Sequence, residues 1–402
     1  MPISNKVKQQ IAKASWIRRM FEEGTRLKEK VGPENVFDFS LGNPILEPPE
    51  AFYDAIYECL EEGAFGKHSY MANAGFAETR ATVAQIHTLE SSLEYGPEHI
   101  IMTVGAAGAM NVTLKTLLNE GEEVILLAPY FAEYWFYVDN HGGVARPVAT
   151  SSDFDIDLDT IEAAINPKTR AIIVNSPNNP TGRVYAHSSI HGLAQLLERK
   201  QRELDTTIYI LTDEPYRVIV YDDVEVPVVA DYYPNTILCT SHSKDLGLAG
   251  ERIGHIAVSP RAADVDDLVN GMAFAIRTLG FVNAPALMQR AILGCLESTV
   301  DVDFYRRNRD TLYHELTSLG FEMERPQGAF YLFPRSPLDD DVELVRYLQK
   351  HHILTVPGSG FGTPGYFRIS YAVNRKVVED SLAVWKKAAE ELGLKPRKVP
   401  TA

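Results

Sequence analysis

Residues 240–252 read TSHSKDLGLAGER and follow an apolar run, residues 236–239, that predicts a buried strand. Lys244 lies just past this strand, directly after a segment with hydroxyl-bearing residues and ahead of a glycine-punctuated turn and Arg252. A buried lysine is costly unless it is neutral or covalently used. The rest of the sequence therefore has to account for Lys244.

Around this stretch, short apolar segments alternate with helix-like segments. The predicted strands are 100–104, 124–128, 171–175, 208–212, 237–239 and 253–258. The predicted helices between them are 106–118, 131–140, 158–165 and 188–204. This alternation predicts an α/β fold with a mostly parallel sheet covered by helices on both faces. Ligands of such sheets bind beyond the carboxyl ends of the strands.

The pattern changes to α+β after about residue 285. Helices are predicted at 283–297, 302–319, 341–350 and 375–392, and strands at 329–333, 353–356 and 367–371. Before the central sheet, the pattern predicts helices at 3–30, 50–62 and 76–90, a strand at 36–41 and a loop at 63–75. We therefore expect a large domain of residues 47–285 and a smaller domain of residues 1–46 plus 286–402.

Composition limits the kind of protein. The chain has 402 residues, 45% hydrophobic, and a formal net charge of -15 that argues against a general nucleic-acid-binding surface. Cys59, Cys239 and Cys295 form no paired motif, which favours a reducing compartment. No apolar run approaches membrane-spanning length, and the N-terminus lacks a secretory signal pattern. We expect a cytoplasmic protein without a membrane, nucleic-acid or metal partner.

Polar, aromatic and small residues follow five of the predicted strands. In chain order these are the small residues 105–108, the aromatic-bearing segment 129–131, the loop SPNNPTG at 176–182, the segment DEPY at 213–216, and Lys244. Small residues that open a helix offer backbone N–H groups to a phosphate. No GxGxxG or GxxxxGK[ST] motif is present, so dinucleotide and P-loop sites lose their main support.

One ligand accounts for all five segments, namely an aromatic, cationic, phosphorylated cofactor that carries an aldehyde. A partly deprotonated lysine forms a Schiff base with a carbonyl. A carboxylate such as Asp213 holds a pyridine nitrogen protonated, which makes the ring an electron sink. Arg252 binds a phosphate bidentately when its geometry allows.

These motifs resemble those of the class I/II aminotransferases of fold type I, which depend on pyridoxal 5′-phosphate (PLP), and the resemblance spans nearly the whole chain. The motifs are NPTG at 179–182, DEPY at 213–216, SHSK at 241–244 with Arg252 eight residues on, and FRIS at 367–370. The resemblance implies a PLP-binding large domain with a mostly parallel sheet and a smaller α+β domain.

The resemblance also implies roles at the ring of the cofactor. Lys244 would hold PLP as an internal aldimine and then shuttle a proton between the substrate Cα and the cofactor. Asp213 would pair with the pyridinium nitrogen, and Phe131 would stack on the ring. Asn179 and Tyr216 would contact the ring hydroxyl.

The phosphate end of PLP would be held by Ala106, Ala107, Ser241 and Arg252. The hydroxyl-bearing residue that such enzymes usually carry in the glycine-rich turn is absent here. Contacts of Ala106 and Ala107 are therefore expected to come from the backbone alone.

Gly42, Asn179 and Arg368 would bind the substrate, with Arg368 on its α-carboxylate. Tyr70 matches a tyrosine that reaches the phosphate of the neighbouring subunit's cofactor, which implies a homodimer with shared active sites.

The amino donor is less constrained by the motifs. A dicarboxylate needs a second cation, because an unpaired carboxylate in a cleft is costly. Arg277 lies near the position where dicarboxylate-specific relatives carry such an arginine, and Arg18 and Arg19 are rivals. Aspartate with 2-oxoglutarate, in a ping-pong mechanism, is the leading hypothesis.

Other activities remain open from the motifs. The first alternative is an alanine or aromatic-amino-acid transaminase. A PLP-dependent C–S lyase or related synthase on the same fold shares Lys244, Asp213 and Arg368. A non-catalytic PLP-binding regulator is disfavoured by the retention of Lys244 and by the lack of a basic helix-turn-helix segment.

Overall fold

A computed structural model describes residues 3–13, 16–61 and 68–397, except for the side chains of residues 12–21. The α-helices in these ranges are α1 (Asn5–Lys13), α2 (Trp16–Val31), α3 (Glu50–Glu61), α4 (Ala77–Glu90), α5 (Gly105–Leu117), α6 (Glu133–Asn140), α7 (Leu158–Ala164), α8 (His187–Leu204), α9 (Val229–Tyr232), α10 (Val265–Thr278), α11 (Ala286–Ala291), α12 (Val302–Ser318), α13 (Asp341–Lys350) and α14 (Arg375–Glu391). The strands are β1 (Phe37–Asp38), β2 (Ile100–Thr103), β3 (Glu123–Ala128), β4 (Val144–Ala149), β5 (Thr169–Asn175), β6 (Tyr209–Asp213), β7 (Thr236–Ser241), β8 (Gly254–Val258), β9 (Tyr331–Leu332), β10 (Ile353–Leu354), β11 (Val356–Pro357) and β12 (Phe367–Ser370).

The central sheet has seven strands in the order β2-β8-β7-β6-β5-β3-β4. All neighbouring pairs from β7 through β6, β5 and β3 to β4 are parallel, whereas β8 is antiparallel to both β7 and β2. The predicted mostly parallel sheet is confirmed. Its register aligns the strand ends, since Asn175 pairs with Asp213 and Asp213 pairs with Cys239.

Helices cover both faces of this sheet, which explains why its strands are apolar without alternation. Along β3, Val124 and Leu126 join the core that contains α5 and α10. Ile125 and Leu127 join the core that contains α8 on the opposite face. Successive strand side chains point to opposite faces, so both sets need apolar residues.

The C-terminal third forms a separate, antiparallel sheet of three strands in the order β11-β12-β9. Helices α12, α13 and α14 pack around it in a core that includes Phe39 and Trp385. The N-terminal strand β1 runs parallel to β10, with Phe37 opposite Ile353. The proposed domain boundaries at residues 47 and 285 stay a prediction.

Some elements differ from the expectations. Strand β4 was not expected, because it is an edge strand that contains Pro147 and exposes Val144, so its residues lack the pattern of a buried strand. The expected strand at 36–41 contains only β1, and the expected helix at 283–297 contains the six-residue α11 followed by a 3₁₀ turn at Ile292–Gly294. The expected helix at 3–30 is described as α1 and α2, with residues 14 and 15 between them outside the description.

None of the helices in the described part of the chain combines the length and apolarity that crossing a bilayer requires.

Candidate active site

A cavity of about 290 Å³ lies beyond the carboxyl ends of β5, β6 and β7, beside the N-terminus of α5. It brings together most of the residues that the sequence singles out, namely Gly42, Ala106, Ala107, Phe131, Asn179, Asp213, Tyr216, Ser241, Lys244, Arg252 and Arg368. Parallel strands end at one edge of the sheet, so residues far apart in the chain meet there.

Lys244 lies on the turn after β7, and its Nζ donates a hydrogen bond to the Gly42 carbonyl oxygen at 2.8 Å. The ammonium also lies 5.5 Å from the centre of the Phe330 ring. Burial, reinforced by the charges of Arg368 and Arg252, lowers the pKa of Lys244 to about 8. A sizeable fraction of the amine is therefore neutral and nucleophilic near physiological pH.

Asp213, the last residue of β6, is buried with an exposed fraction of 8%. Its Oδ2 accepts a hydrogen bond from the Tyr134 hydroxyl, while its Oδ1 has no hydrogen-bond partner among the described residues. Burial raises the pKa of Asp213 to about 7, against the lowering effect of the Tyr134 hydrogen bond. A cationic N–H donor at Oδ1 would supply the missing partner and restore the ionised form.

Asn175, the last residue of the neighbouring strand β5, holds the backbone around Asp213 and Asn179 in place. Its Nδ2 donates to the Asp213 carbonyl oxygen at 2.8 Å, and its Oδ1 accepts from the Asn179 amide at 2.8 Å. Asn175 thereby ties the β6 end to the loop that carries Asn179.

Arg252 and the start of α5 form the other end of the cavity. The Arg252 guanidinium donates to the carbonyl oxygens of Ala249, at 3.0 Å, and Val104, at 3.4 Å. Residue 105 favours glycine because its φ is +76°, and an added Cβ would also lie 2.9 Å from Arg252 Nη2, so the guanidinium would have to shift. With Ala106 and Ala107, this helix N-terminus presents backbone N–H groups beside a cation, which is the chemistry of a phosphate site.

Arg368 lies on β12 and is 2% exposed. It donates to Asn179 Oδ1 at 2.9 Å and to the Ser40 carbonyl oxygen at 2.7 Å. No carboxylate among the described residues forms an ion pair with Arg368. Burial lowers the pKa of Arg368. A buried, unpaired cation is costly, so an anionic ligand is the expected partner of Arg368.

Aromatic side chains form the walls between these groups. The Phe131 ring packs edge-on against Tyr134, with ring centres 5.5 Å apart. On the far side, the hydroxyls of Tyr216 and Tyr331 lie 2.8 Å apart. The cavity thus joins a carboxylate, a lysine and two guanidinium groups within largely apolar walls.

Two predicted site residues do not line this cavity. Tyr70 has an exposed fraction of 87%. Arg277 is exposed in the last turn of α10, where its guanidinium lies 5.3 Å from the centre of the Phe274 ring. The side chains of Arg18 and Arg19, the proposed rivals of Arg277, lie outside the described residues.

Several residues of the cavity lining were missed from the sequence, among them Tyr134, Asn175 and Tyr331. Asn175 ends a predicted strand, so the strand-end argument could have found it. Tyr134 sits in the first turn of a short helix and Tyr331 on a two-residue strand, and neither has a local pattern that separates it from core aromatics.

The residues of the cavity fit PLP. The unpartnered Oδ1 of Asp213 suits a protonated ring nitrogen, and the cluster of Arg252 with the α5 N-terminus suits a phosphate. The amine of Lys244 suits an aldehyde. No group of three or more histidine, cysteine, aspartate or glutamate side chains within the described ranges is arranged to hold a metal ion.

Comparison with known proteins gives a consistent picture. Residues 34–383 match the family model of aminotransferase class I and II. A probable aspartate/prephenate aminotransferase from Aquifex aeolicus is 30% identical over an alignment of 378 residues, and the alignment covers 89% of this chain and 92% of that protein.

Solved structures agree with this match. An amino transferase from Eubacterium rectale superposes with a TM-score of 0.94 and 38% identity, over 98% of this chain and 99% of that chain. The aspartate aminotransferase from Thermus thermophilus, solved with maleate, gives a TM-score of 0.86 and 27% identity over 96% of this chain and 100% of that chain. This chain therefore belongs to the aminotransferase class I and II family, whose enzymes depend on pyridoxal phosphate.

Proposed function

We propose that this aminotransferase transfers the α-amino group of aspartate to 2-oxoglutarate in two half-reactions that share one site, in ping-pong order. The names of the relatives support an acidic donor, since the Aquifex protein is described as an aspartate/prephenate aminotransferase. The Thermus enzyme was solved with maleate, a dicarboxylate.

The observation that carries the reaction type is the placement of Arg368 in the same cavity as Lys244. Arg368 is a buried cation without a carboxylate partner among the described residues, and Lys244 is a buried amine whose pKa is lowered to about 8. An α-carboxylate held by the first group would place the neighbouring Cα within the cavity that Lys244 lines. The arrangement suits proton transfer at the α-carbon of an amino acid.

PLP, when bound, supplies an electron sink that weakens the Cα–H bond of an amino acid. Arg368 and Asn179 hold and orient the substrate carboxylate, and Lys244 Nζ takes up the α-proton and returns it. Asp213, which is buried from water, would hold the ring nitrogen of the cofactor in its protonated form through the unpartnered Oδ1. The Tyr216 hydroxyl would donate a hydrogen bond to a ring oxygen of the cofactor.

A distal carboxylate needs a further cation, and the cations of the described cavity lining are Lys244, Arg252 and Arg368. Each of the three already has a proposed partner. This supports a second candidate, an aminotransferase for aromatic donors, because Phe131, Tyr134 and Tyr137 line the same cavity and a relative from Thermococcus litoralis is described as an aromatic-amino-acid aminotransferase.

A panel of half-reactions separates the candidates. Aspartate is expected to convert the bound cofactor to its amine form faster than alanine, phenylalanine or cysteine does, with 2-oxoglutarate reversing the change. Absorbance of the bound cofactor in a stopped-flow instrument measures each rate. Faster conversion by phenylalanine would favour the aromatic candidate. Release of pyruvate and ammonia from cysteine, without any conversion of 2-oxoglutarate, would favour a C–S lyase.

Capture of PLP by the apoprotein is expected to accelerate about ten-fold per pH unit below pH 8 and to level off above it. Only the neutral amine attacks the aldehyde, and burial lowers the pKa of Lys244 to about 8. Stopped-flow absorbance between pH 6 and pH 10 measures the rate, with Nα-acetyl-lysine as a control for the ionisation of PLP itself. A rate that still rises ten-fold between pH 9 and pH 10 would show an ordinary, solvated lysine.

We further propose that the enzyme is a cytoplasmic homodimer with domains at the boundaries predicted above. Tyr70, with its 87% exposed fraction, is available to a second subunit, and so is the exposed face of α3 that carries Tyr53 and Tyr57. None of the three cysteines, all of which lie in the described residues, forms a disulfide, and this is compatible with a reducing compartment. Arg277 does not line the cavity of its own chain, so a role in binding the distal carboxylate would have to be exerted in the cavity of the partner subunit.

Arg277→Ala is expected to raise KM for aspartate at least about ten-fold and KM for alanine less than two-fold, since only aspartate has a distal carboxylate. Steady-state kinetics measures both. Mixed dimers of Arg277→Ala and Lys244→Ala chains provide the sharper test. If Arg277 acts across the dimer, each mixed dimer contains one intact site and recovers a low KM for aspartate. Equal effects on both donors, or no recovery on mixing, would end this assignment.

A further inference from the structure

Tyr331 lies between two groups of the cavity, the Arg368 guanidinium and the Tyr216 hydroxyl. It lies on β9, opposite Ser370 of the neighbouring β12, and its side chain is 2% exposed. Because β12 also carries Arg368, the strand pairing places the tyrosine beside that guanidinium. The Tyr331 ring contacts Arg368, and the Tyr331 hydroxyl contacts Tyr216.

The hydroxyl contacts Tyr216. The two hydroxyl oxygens lie 2.8 Å apart, and the rings meet edge-on with an interplanar angle of 82°. A phenol has one proton to donate. If Tyr216 uses its own proton toward a ring oxygen of the cofactor, the proton between the two hydroxyls must come from Tyr331. This second donor strengthens the first, because chained hydrogen bonds polarise one another.

The ring contacts Arg368. The guanidinium carbon lies 4.5 Å from the centre of the Tyr331 ring and 4.7 Å from that of Phe361, so Arg368 lies between two aromatic rings. Asn179 and the Ser40 carbonyl oxygen accept two of its N–H groups, and its Nε–H has no partner among the described residues. The aromatic faces hold the guanidinium without using any of its donors.

Gly42 makes room for the Tyr331 hydroxyl. A Cβ at residue 42 would collide with that hydroxyl, and the same residue's carbonyl oxygen accepts the hydrogen bond of Lys244. The glycine therefore lets one tyrosine approach the lysine-bearing side of the cavity. This sharpens the predicted role of Gly42, which concerned the substrate carboxylate alone.

We propose that Tyr331 is a positioning residue that holds Arg368 with its ring and the Tyr216 hydroxyl with its own hydroxyl. Substrate-carboxylate binding and the contact to the cofactor ring oxygen thus depend on one side chain through two separable contacts. This inference rests on the proposed function, which assigns Arg368 and Tyr216 to those tasks.

Three variants separate the two contacts in the PLP-bound enzyme. Tyr331→Phe removes the hydroxyl and keeps the ring, Tyr331→Leu removes both, and Phe361→Leu removes only the other ring at Arg368. Tyr221→Phe is the matched control, since it removes another buried hydroxyl, which donates to the Ala329 carbonyl oxygen at 2.5 Å, outside the cavity. Two readouts are used, namely the pH titration of cofactor absorbance and the calorimetric affinity for the inert carboxylates succinate and propionate.

Tyr331→Phe is expected to raise the midpoint of the pH titration of cofactor absorbance by about 0.5 to 1 pH unit. The reason is that the hydrogen bond from the Tyr216 hydroxyl to the ring oxygen of the cofactor is weakened. Tyr331→Phe should leave both carboxylate affinities within about two-fold. Phe361→Leu is expected to weaken both carboxylates about 3- to 30-fold without moving the midpoint. Tyr331→Leu should show both effects, and Tyr221→Phe neither.

The results that would reject the positioning role of Tyr331 differ from those that would reject the proposed function. An unmoved midpoint in Tyr331→Phe, or unchanged carboxylate affinity in Tyr331→Leu, would reject the positioning role. The calorimetry needs no turnover, so these outcomes are decided even if the wild-type enzyme converts none of the donors in the panel. That separate result would reject the proposed function.

Discussion

Lys244→Ala is expected to abolish transamination, with the rate falling by at least about 10⁴-fold for every donor. The variant loses the amine that reacts with the aldehyde and the base that moves the α-proton. No neighbouring described lysine lines the cavity to replace it. The half-reaction with aspartate, followed by absorbance, measures the loss, and the visible absorbance that depends on covalent attachment of the cofactor should disappear.

The fold of this variant is expected to survive. The Lys244 amine makes a single recorded hydrogen bond, to Gly42, and its burial favours the uncharged form, so its loss removes a cost of folding. A melting temperature at or above that of the wild type would confirm this. Lys200→Ala is a matched control, because Lys200 forms surface ion pairs with Glu162 and Glu203 far from the cavity. Full turnover by Lys244→Ala would remove the central assignment.

The meeting of Asp213 and Lys244 in one cavity could be predicted, because it depends on local sequence and simple sheet geometry. Asp213 ends β6 and Lys244 lies in the turn after β7, and neighbouring parallel strands bring such positions to one edge. Knowing the strands was therefore enough to expect these residues together. Arg368 was different, because it comes from the second sheet and was assigned from the resemblance alone.

The missed residues reach the cavity through contacts between helices and strands that lie far apart in the sequence, and no local sequence pattern reveals such contacts. Tyr331 matters because β9 pairs with β12, a register between two short strands. Tyr134 reaches Asp213 only because α6 begins immediately after the cavity wall at Phe131. Arg277 shows the limit of an argument from sequence position, because its guanidinium lies beside Phe274 and does not line the cavity of its own chain, and its role stays a prediction.

Asp213→Asn is the second variant with a large expected effect, a fall in kcat on the order of 10³-fold with the cofactor still bound. The amide can accept the Tyr134 hydrogen bond but carries no charge, so a protonated ring nitrogen loses its counter-ion. Single-turnover rates with aspartate measure the loss. An exposed aspartate in an ion pair with Arg306 supplies the control, Asp303→Asn, which should retain wild-type rates.

Although Asp213→Asn is expected to lower activity, it is expected to raise the stability of the apoprotein at neutral and alkaline pH. In the apoprotein, burial raises the pKa of Asp213 to about 7, so its contribution to stability is complete below about pH 4 and is lost as the pH rises through 7. Apo Asp213→Asn should therefore melt like the wild type near pH 4 and higher than it at pH 8, by at most about 4 kcal/mol in unfolding free energy. Adding PLP should stabilise the wild type more than the variant, because only the carboxylate gains a cationic partner. A variant with wild-type single-turnover rates, or one that PLP stabilises as strongly as the wild type, would contradict the role of Asp213 as that partner.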